Sequence, residues 1–169
     1  MAVLDLLIYP DSRLKTISTP VTSFGDNLLT FITNLENTMA ASSGSVGIAA
    51  PQVGNFERIV IVDVSAKLNI KHHGHLRLIN PEIIHWKGST VGREGCMSVP
   101  DYIGNVVRAK NIKLSAMDEY GVQHEYEMSG YEARAVQHEI DHLEGLLFLD
   151  RLVSRRHDLL QHKQLSDDC

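Results

Sequence analysis

The sequence predicts an α+β fold, in which small antiparallel β-sheets pack around a central helix, with one further helix towards each end of the chain. Three observations carry this prediction: an apolar, β-branched run at 58–63, a hairpin signal at 112–128 and helical periodicity between residues 28 and 39. The strand segments follow one another without alternating helices, which disfavours a doubly wound parallel sheet. With 169 residues, 43% of them hydrophobic, the chain is expected to form a single domain over 1–169.

The N-terminal helix is predicted to begin at Asp26, which suits the N-cap, and to stop at the small residues 42–44. Its apolar positions recur at the spacing of one helical face. They are Leu28, Ile32, Leu35 and Met39.

Strands are predicted at 58–63, 76–79, 112–117 and 122–128. The first is apolar throughout its middle, as in a strand that is buried on both faces. Asn80-Pro81 predicts a turn, and the Asp-Glu-Tyr-Gly sequence at 118–121 predicts a hairpin connection. Four histidines are expected on the surface, in loops: His72, His73, His75 and His85.

The central helix is predicted over 129–145. Ser129 and Glu132 have the spacing of a capping box, and Gly145 suits the position that follows a last helical turn. A C-terminal helix is predicted from Leu152 to about Lys163.

Composition excludes several classes of protein. The formal net charge of -5 argues against a general nucleic-acid binder, and DNA is not an expected partner. No apolar run approaches the length of a membrane span, and the first residues lack the pattern of a secretory signal. Two cysteines leave little scope for a disulfide framework. We therefore expect a cytoplasmic protein without a membrane partner.

Residues 138–142, His-Glu-Ile-Asp-His, match the H-E-x-x-H pattern within the predicted central helix. His138 and His142 lie about 40° apart in helical projection, so both imidazoles can reach one metal ion. Glu139 lies roughly 100° from His138, where it can hydrogen-bond a water on that metal without being a ligand.

Glu139 falls on the apolar face of this helix. The opposite, polar face carries Arg134, Gln137, Asp141 and Glu144. A carboxylate directed at a core is costly unless it is paired or near a cation. A metal site removes this conflict; the alternative is a buried polar cluster of Glu139 and the two histidines.

The third ligand distinguishes the classes of metalloenzyme that use this pattern. Phe148 occupies the position of the third metzincin histidine and cannot bind metal, and no glutamate follows Glu144 to act as in thermolysin. Cys96 would add one thiolate to the two imidazoles and leave the fourth position to water, as in a catalytic site. Taken alone, Cys96 also suits a buried apolar role. Weaker candidates for the third ligand are Asp150, His157 and His162.

Three motifs occur in order along the chain: GIAAPQVG at 47–54, EGCMS at 94–98 and QHEIDHLEG at 137–145. In these motifs the chain resembles the peptide deformylase family. The Ile-Asn-Pro-Glu sequence at 79–82 and the total length also fit. Three motifs in order, with a cysteine that supplies the missing ligand, make the resemblance highly specific.

The resemblance implies an enzyme that removes the formyl group from the N-terminal formylmethionine of new bacterial polypeptides and releases formate. Its metal would be held by Cys96, His138 and His142, natively as Fe2+, with Zn2+, Ni2+ or Co2+ as replacements. Glu139 would take a proton from the attacking water and pass it to the leaving amine.

The resemblance also implies oxyanion donors, namely the Gln52 side chain and the Met97 backbone N–H. The substrate-binding residues would be Val46, Gly47, Met97 and Ala135, with peptide recognition near 46–47 that resembles strand addition. The chain departs from the family pattern in two places. Met97 replaces a leucine, and 101–104 lacks an arginine that the family often carries near the substrate mouth.

Glu94 and Arg108 match a family ion pair that braces the cysteine strand, the alternative being two solvated surface charges. Family members dock their C-terminal helix on the ribosome, and the predicted C-terminal helix is basic; a solvated helix face is the alternative. The basic residues in question are Arg151, Arg155, Arg156 and Lys163.

Two other functions are compatible with the same residues. One is a metallopeptidase or another small-amide hydrolase that uses the same Cys/His/His site. The other is a binding protein that holds a structural metal or keeps an abandoned site. Substrate separates the first from a deformylase, and a closed fourth metal position would indicate the second.

Overall fold

The computed structural model describes residues 2–154 and 159–161. The described residues contain two α-helices, α1 (Asp26–Ala40) and α2 (Gly130–Leu143). The strands are β1 (Gly47–Ala49), β2 (Ile59–Asp63), β3 (His75–Lys87), β4 (Thr90–Cys96), β5 (Val99–Arg108), β6 (Asn111–Met117), β7 (Gln123–Ser129) and β8 (Leu159–Gln161). The predicted α+β class is confirmed.

A five-stranded antiparallel sheet lies between the two helices, in the order β1-β2-β3-β6-β7. Successive side chains of β2 enter different cores. Ile59 and Ile61 pack in a cluster with apolar residues of α1, whereas Val60 and Val62 pack in a cluster with apolar residues of α2. Strand β2 is therefore covered on both faces, which explains its unbroken apolar run. The hairpin predicted at 112–128 is present as β6 and β7.

A second sheet has three strands in the order β4-β5-β8. Val99 and Val106 of β5 pack with Phe148, which lies in a short 3-10 helix after α2. This sheet carries Cys96 at the end of β4, whereas α2 carries His138 and His142. The candidate ligands therefore meet where the smaller sheet approaches α2.

The prediction of a C-terminal helix over 152–163 is wrong where the structure describes that segment. Leu152 makes an isolated antiparallel bridge to Val106, and Leu159–Gln161 form β8, which pairs with β5. Pairing with β5 satisfies backbone groups that an edge strand would leave open. Residues 155–158, 162 and 163 of the predicted helix lie outside the described residues.

The turn predicted at Asn80-Pro81 is also wrong, because β3 continues through it. The pairing of β3 with β6 shifts between Ile79 and Glu82, and Asn80 has a positive φ of 50° at this irregularity. The Asn80 side chain accepts the backbone N–H of Val21 at 2.8 Å and donates to its carbonyl at 3.0 Å. The Asn80 side chain thus binds the segment around Val21 to the irregularity in strand β3.

The predicted capping box at the start of α2 does not form. Ser129 is the N-cap residue, but its side chain makes no capping hydrogen bond. Glu132 is buried and instead accepts the backbone N–H of His73 at 2.6 Å and contacts the His73 ring. The Glu132 carboxylate therefore binds the loop before β3 and does not cap the helix.

Helix α2 ends in a Schellman motif, as the position of Gly145 suggests. The N–H of Gly145 donates to the carbonyl of His142 at 3.1 Å, and that of Leu146 donates to the carbonyl of Asp141 at 2.9 Å. Gly145 has a φ of 73°, in the left-handed region that favours glycine.

Among the described residues, neither helix combines the length and apolar character that a membrane crossing requires. The four histidines expected on the surface are exposed, although His75 and His85 lie in β3 and not in a loop.

Candidate metal centre

Cys96, His138 and His142 come together in the structure, and their candidate ligand atoms all lie within 4.8 Å of one another. Sγ of Cys96 lies 3.4 Å from Nε2 of His142. The two imidazole rings, one helical turn apart, have centroids 5.3 Å apart. The register of β4 against β5 shifts between Gly95 and Cys96, and Cys96 is the last residue of its strand.

His138 is held in one orientation by two neighbours. Its Nδ1–H donates to Oε1 of Glu94 at 2.8 Å, which leaves Nε2 for a ligand. Its ring stacks on Phe148, with centroids 6.3 Å apart. The residue that breaks the metzincin pattern therefore supports the first histidine. Nδ1 of His142, in contrast, is buried without a hydrogen-bond partner among the described residues.

Glu94 lies at the centre of a buried ionic cluster. Arg108 donates to both of its oxygens, at 3.0 and 2.8 Å, and Arg134 donates to Oε2 at 2.7 Å. Arg108 also donates to Asp141 of α2 at 2.5 Å. The Glu94–Arg108 pair predicted from the sequence is thus present, and both residues are buried.

The pKa of Glu94 shows the effect of these partners. Burial alone would raise it, but the hydrogen bonds from His138 and Arg108 outweigh burial and hold the pKa well below its ordinary value. Glu94 is therefore a fixed anion at neutral pH and a stable acceptor for the Nδ1–H of His138.

Glu139 lies beside the cluster in a different environment. It is buried, and its Oε2 has no hydrogen-bond partner among the described residues. Burial raises its pKa to about 7, and the charge of Glu94 adds to this, although His138 and Arg108 oppose it. Glu139 packs directly on Gly47, where a Cβ would lie 2.7 Å from Oε1. The unsatisfied oxygen is a buried polar group that needs a partner.

The two histidines differ in charge preference. Burial lowers the pKa of His142 well below its ordinary value, and the charges of His138 and Arg108 add to this effect. Burial also opposes the charged form of His138, but hydrogen bonds to Cys96 and Glu94 outweigh it and raise the pKa of His138. His142 is thus neutral at neutral pH, the form that binds a metal ion.

Gln52 lies next to the thiol. Its Oε1 accepts the backbone N–H of Ala49 at 2.9 Å, which fixes the amide. Its Nε2 donates to Oγ of Ser98 at 3.1 Å and lies 3.5 Å from Sγ of Cys96. The amide N–H groups therefore face the ligand cluster, and Ser98, which the sequence reasoning missed, helps to hold them there.

A cavity of about 350 Å³ opens beside the cluster. It is lined by Gln52, Cys96, His138 and Glu139, and also by all four predicted substrate-binding residues, Val46, Gly47, Met97 and Ala135. Sequence reasoning did not identify Tyr131, Arg93 or Arg134 as cavity residues. Arg134 lies four residues before His138, so the two side chains are neighbours on the helix surface. This spacing is the sequence signal that could have identified Arg134 as a residue of the site.

The three donors suit a divalent metal ion. Tetrahedral ligands at metal–sulfur and metal–nitrogen distances of about 2.3 and 2.0 Å lie roughly 3.5 Å apart, close to the observed separation of Cys96 and His142. One thiol and two imidazoles on one side of a cavity leave a position for water or substrate. The residues therefore fit the metal that the resemblance implies.

A family model described as Polypeptide deformylase matches residues 3–158 of the chain. The chain belongs to the polypeptide deformylase family. The peptide deformylase of Alkalilimnicola ehrlichii is 39% identical over 163 residues, which cover 96% of this chain and 89% of the relative. That of Wolinella succinogenes is 43% identical over 151 residues, which cover 89% and 88%.

Solved deformylase structures agree with this assignment. The peptide deformylase of Thermotoga maritima matches with a TM-score of 0.84 at 35% identity, covering 91% of this chain and 100% of that chain. That of Legionella pneumophila matches with a TM-score of 0.83 at 36% identity, covering 92% and 90%. The activity of this deformylase is the metal-dependent removal of the N-formyl group from nascent formylmethionyl peptides.

Proposed function

We propose that Cys96, His138 and His142 hold the metal ion and that Glu139 is the catalytic base and acid of the deformylation reaction. The observation that carries this assignment is the buried Glu139 carboxylate, which lies beside the three ligands with one oxygen unpartnered among the described residues. Fe2+ is the native metal in this proposal, and Zn2+, Ni2+ or Co2+ can replace it, because thiolate and imidazole suit all of these cations.

A divalent cation bound there supplies Lewis acidity, which activates water and polarises the formyl carbonyl. Glu139 takes the proton that the attacking water loses and delivers it to the nitrogen of the leaving amine. Burial of the Glu139 carboxylate raises its pKa above the ordinary value, which favours a group that must both accept and return a proton.

The oxyanion that develops on the formyl oxygen needs donors that are already in place. In this proposal they are Nε2 of Gln52 and the backbone N–H of Met97. Support comes from the two hydrogen bonds that fix the Gln52 amide, to Ala49 and to Ser98, because a fixed donor needs no reorganisation during the reaction.

The methionine side chain of the substrate occupies the cavity beside the metal site. Val46, Met97 and Ala135 offer it apolar contacts, and Gly47 also lines the cavity. Strand β1 is at the end of the five-stranded sheet, so a peptide can pair with its backbone as an added strand.

Formate release tests the assignment. The protein, purified anaerobically and analysed for metal, should release formate from formyl-Met-Ala-Ser and leave the unformylated peptide intact. Glu139→Gln should lower turnover by at least about 10²–10⁴-fold without loss of metal, because Glu139 is not a ligand. Cys96→Ser and His142→Ala should instead lose metal.

Other outcomes would support the competing functions. Cleavage of unformylated peptides would indicate a metallopeptidase. Retention of formate release by Glu139→Gln would contradict the role of Glu139, and full metal content without any hydrolysis would indicate a structural metal.

We further propose that the whole chain acts as one domain in the bacterial cytoplasm, where nascent formylated peptides arise. Contact with the ribosome through the basic C-terminal residues stays a prediction. Arg151 lies in the described part of the chain and pairs with Asp141, whereas Arg155, Arg156 and Lys163 lie outside it.

A further inference from the structure

The candidate metal ligands come from two parts of the fold that need to be held together. Cys96 lies on the β4–β5 hairpin, whereas His138 and His142 lie on α2. Helix α2 packs mainly on β1 and β2, which belong to the other sheet. The distance from the thiol to the imidazoles therefore depends on the contacts that fasten the hairpin to α2.

Arg134 makes three such contacts from the helix side. Its Nη1 donates to the Glu94 carboxylate at 2.7 Å and to the carbonyl of Val106 at 2.9 Å. Its Nη2 donates to the carbonyl of Thr90 at 2.8 Å. One buried guanidinium thus binds both strands of the hairpin that carries Cys96.

Gly92 provides the space for this guanidinium. A Cβ on Gly92 would lie 2.7 Å from Cζ and 2.7 Å from Nε of Arg134, which is closer than real Cβ contacts allow. Gly92 pairs with Val106, the residue whose carbonyl accepts from Arg134. The guanidinium therefore lies directly against Gly92, in space that any other side chain at this position would fill.

Arg134 also acts on the carboxylate that orients a ligand. Glu94 accepts from Arg134 through Oε2 and from Nδ1 of His138 through Oε1. His142 has no comparable partner among the described residues. The orientation of His138 therefore depends on Glu94, and the position of Glu94 depends on its two arginines.

We propose that Arg134 is a positioning residue of the metal site: seated on Gly92, it holds the Cys96 hairpin at bonding distance from His138 and His142. The proposal rests on the ligand set proposed above. Arg108 joins the same two elements from the other side, since it lies on β5 and reaches Asp141 of α2. Arg134 differs because its hydrogen bonds to two backbone carbonyls require a planar, forked donor, which a lysine cannot supply.

Cobalt binding by the full-length protein tests the role of Arg134. Arg134→Leu and Arg134→Lys should bind Co2+ about 10–100-fold more weakly than wild type in competition with a chelator. The thiolate-to-cobalt charge-transfer absorption should also weaken or shift, because the sulfur is no longer held in place. Arg77→Leu is the matched control, since Arg77 pairs with Glu36 and Glu119 away from the cluster. It should keep the affinity and the spectrum of wild type.

A second pair of variants tests the fit between Arg134 and Gly92. Gly92→Ala keeps every charge but displaces the guanidinium, and should weaken Co2+ binding as Arg134→Ala does. In the Arg134→Ala background the added methyl group meets no guanidinium, so Gly92→Ala should change the affinity by less than about twofold. If the double variant instead lost Co2+ affinity by the product of the two single-variant losses, the proposal would be overturned.

The remaining outcomes separate this proposal from the ligand assignment. Wild-type affinity and spectrum in both Arg134→Leu and Arg134→Lys would overturn the positioning role and leave the ligands as proposed. Absence of a charge-transfer band in the wild type, or unchanged Co2+ affinity in Cys96→Ser, would overturn the ligand set itself.

Discussion

Gly47 determines where the Glu139 carboxylate can lie. The glycine and the glutamate come from β1 and α2, and they touch so closely that a Cβ on Gly47 would lie 2.7 Å from Oε1 and 2.9 Å from Cγ of Glu139. Glycine thus permits the contact that puts the carboxylate beside the metal ligands. Glu139 Oε2 stays unpartnered there, within the described residues.

Gly47→Ala should therefore lower kcat by at least about tenfold, since a displacement of about 1 Å in a catalytic group can cost 10²-fold. Bound metal should remain at the wild-type level, because the three atoms nearest the added methyl group all belong to Glu139, which is not a proposed ligand. Gly25→Ala, where a Cβ meets nothing within 4 Å, is the control. Equal kcat values in the two variants would show that Gly47 does not position Glu139.

The sequence predicted the burial of the Glu139 side chain but not that of the Arg134 side chain. The helical projection of α2 placed Arg134 and Asp141 on a polar face, yet both are buried in the structure. That face meets the β4–β5 hairpin, whose Glu94 and Arg108 complete the charges. A single helix cannot reveal such an interface, because the partner charges come from residues about 30–40 positions away in the chain.

The C-terminal end of α2 links local backbone geometry to the metal site. Gly145 turns the chain so that Phe148, three residues later, stacks on His138. The same glycine packs against the N-terminal segment, where its Cβ would lie 2.4 Å from the carbonyl oxygen of Lys15.

Gly145→Ala should accordingly destabilise the protein by more than the backbone strain alone. A left-handed alanine costs about 1–2 kcal/mol, and overpacking against a carbonyl adds about 1–3 kcal/mol. Gly121→Ala isolates the first contribution, because Gly121 has a φ of 82° but its Cβ would meet Phe24 at an ordinary 3.5 Å. Urea unfolding of the metal-loaded variants measures both; an equal loss in the two would exclude the clash with Lys15.

Elements with a strong local pattern were predictable from the sequence, and elements decided by distant partners were not. The apolar run of β2 and the turn between β6 and β7 carry their own signals. The side chain of Asn80, in contrast, bonds to Val21, and β8 forms because β5 offers it backbone partners. Neither interaction can be predicted from a short window of sequence, because both partners lie far apart in the chain.

The metal ion, in the proposed site, joins the β4–β5 hairpin to helix α2 as well as serving the reaction. Cys96 belongs to the β4–β5 hairpin and both histidines to α2, so coordination adds a cross-link between them. A ligand that binds the folded state alone stabilises it in proportion to the logarithm of its concentration.

Removing the metal with a chelator should therefore lower the thermal midpoint. At a free-metal concentration about 1,000 times Kd the contribution is about 4 kcal/mol, and each kcal/mol moves the midpoint by about 2–4 °C in a protein of this size. Calorimetry with and without added Zn2+ measures the shift, which should be smaller in Cys96→Ser. A midpoint independent of metal would show that the cation does not cross-link the hairpin and α2.

Strand β1 is three residues long and forms the end of its sheet. Three extended residues span about 10 Å, so a polypeptide that pairs with them in the proposed way contacts the strand over a similar distance. Amide groups are common to every polypeptide, whatever its composition. In the proposed binding mode, this short edge would therefore recognise backbone amides, and the adjoining cavity would recognise one side chain.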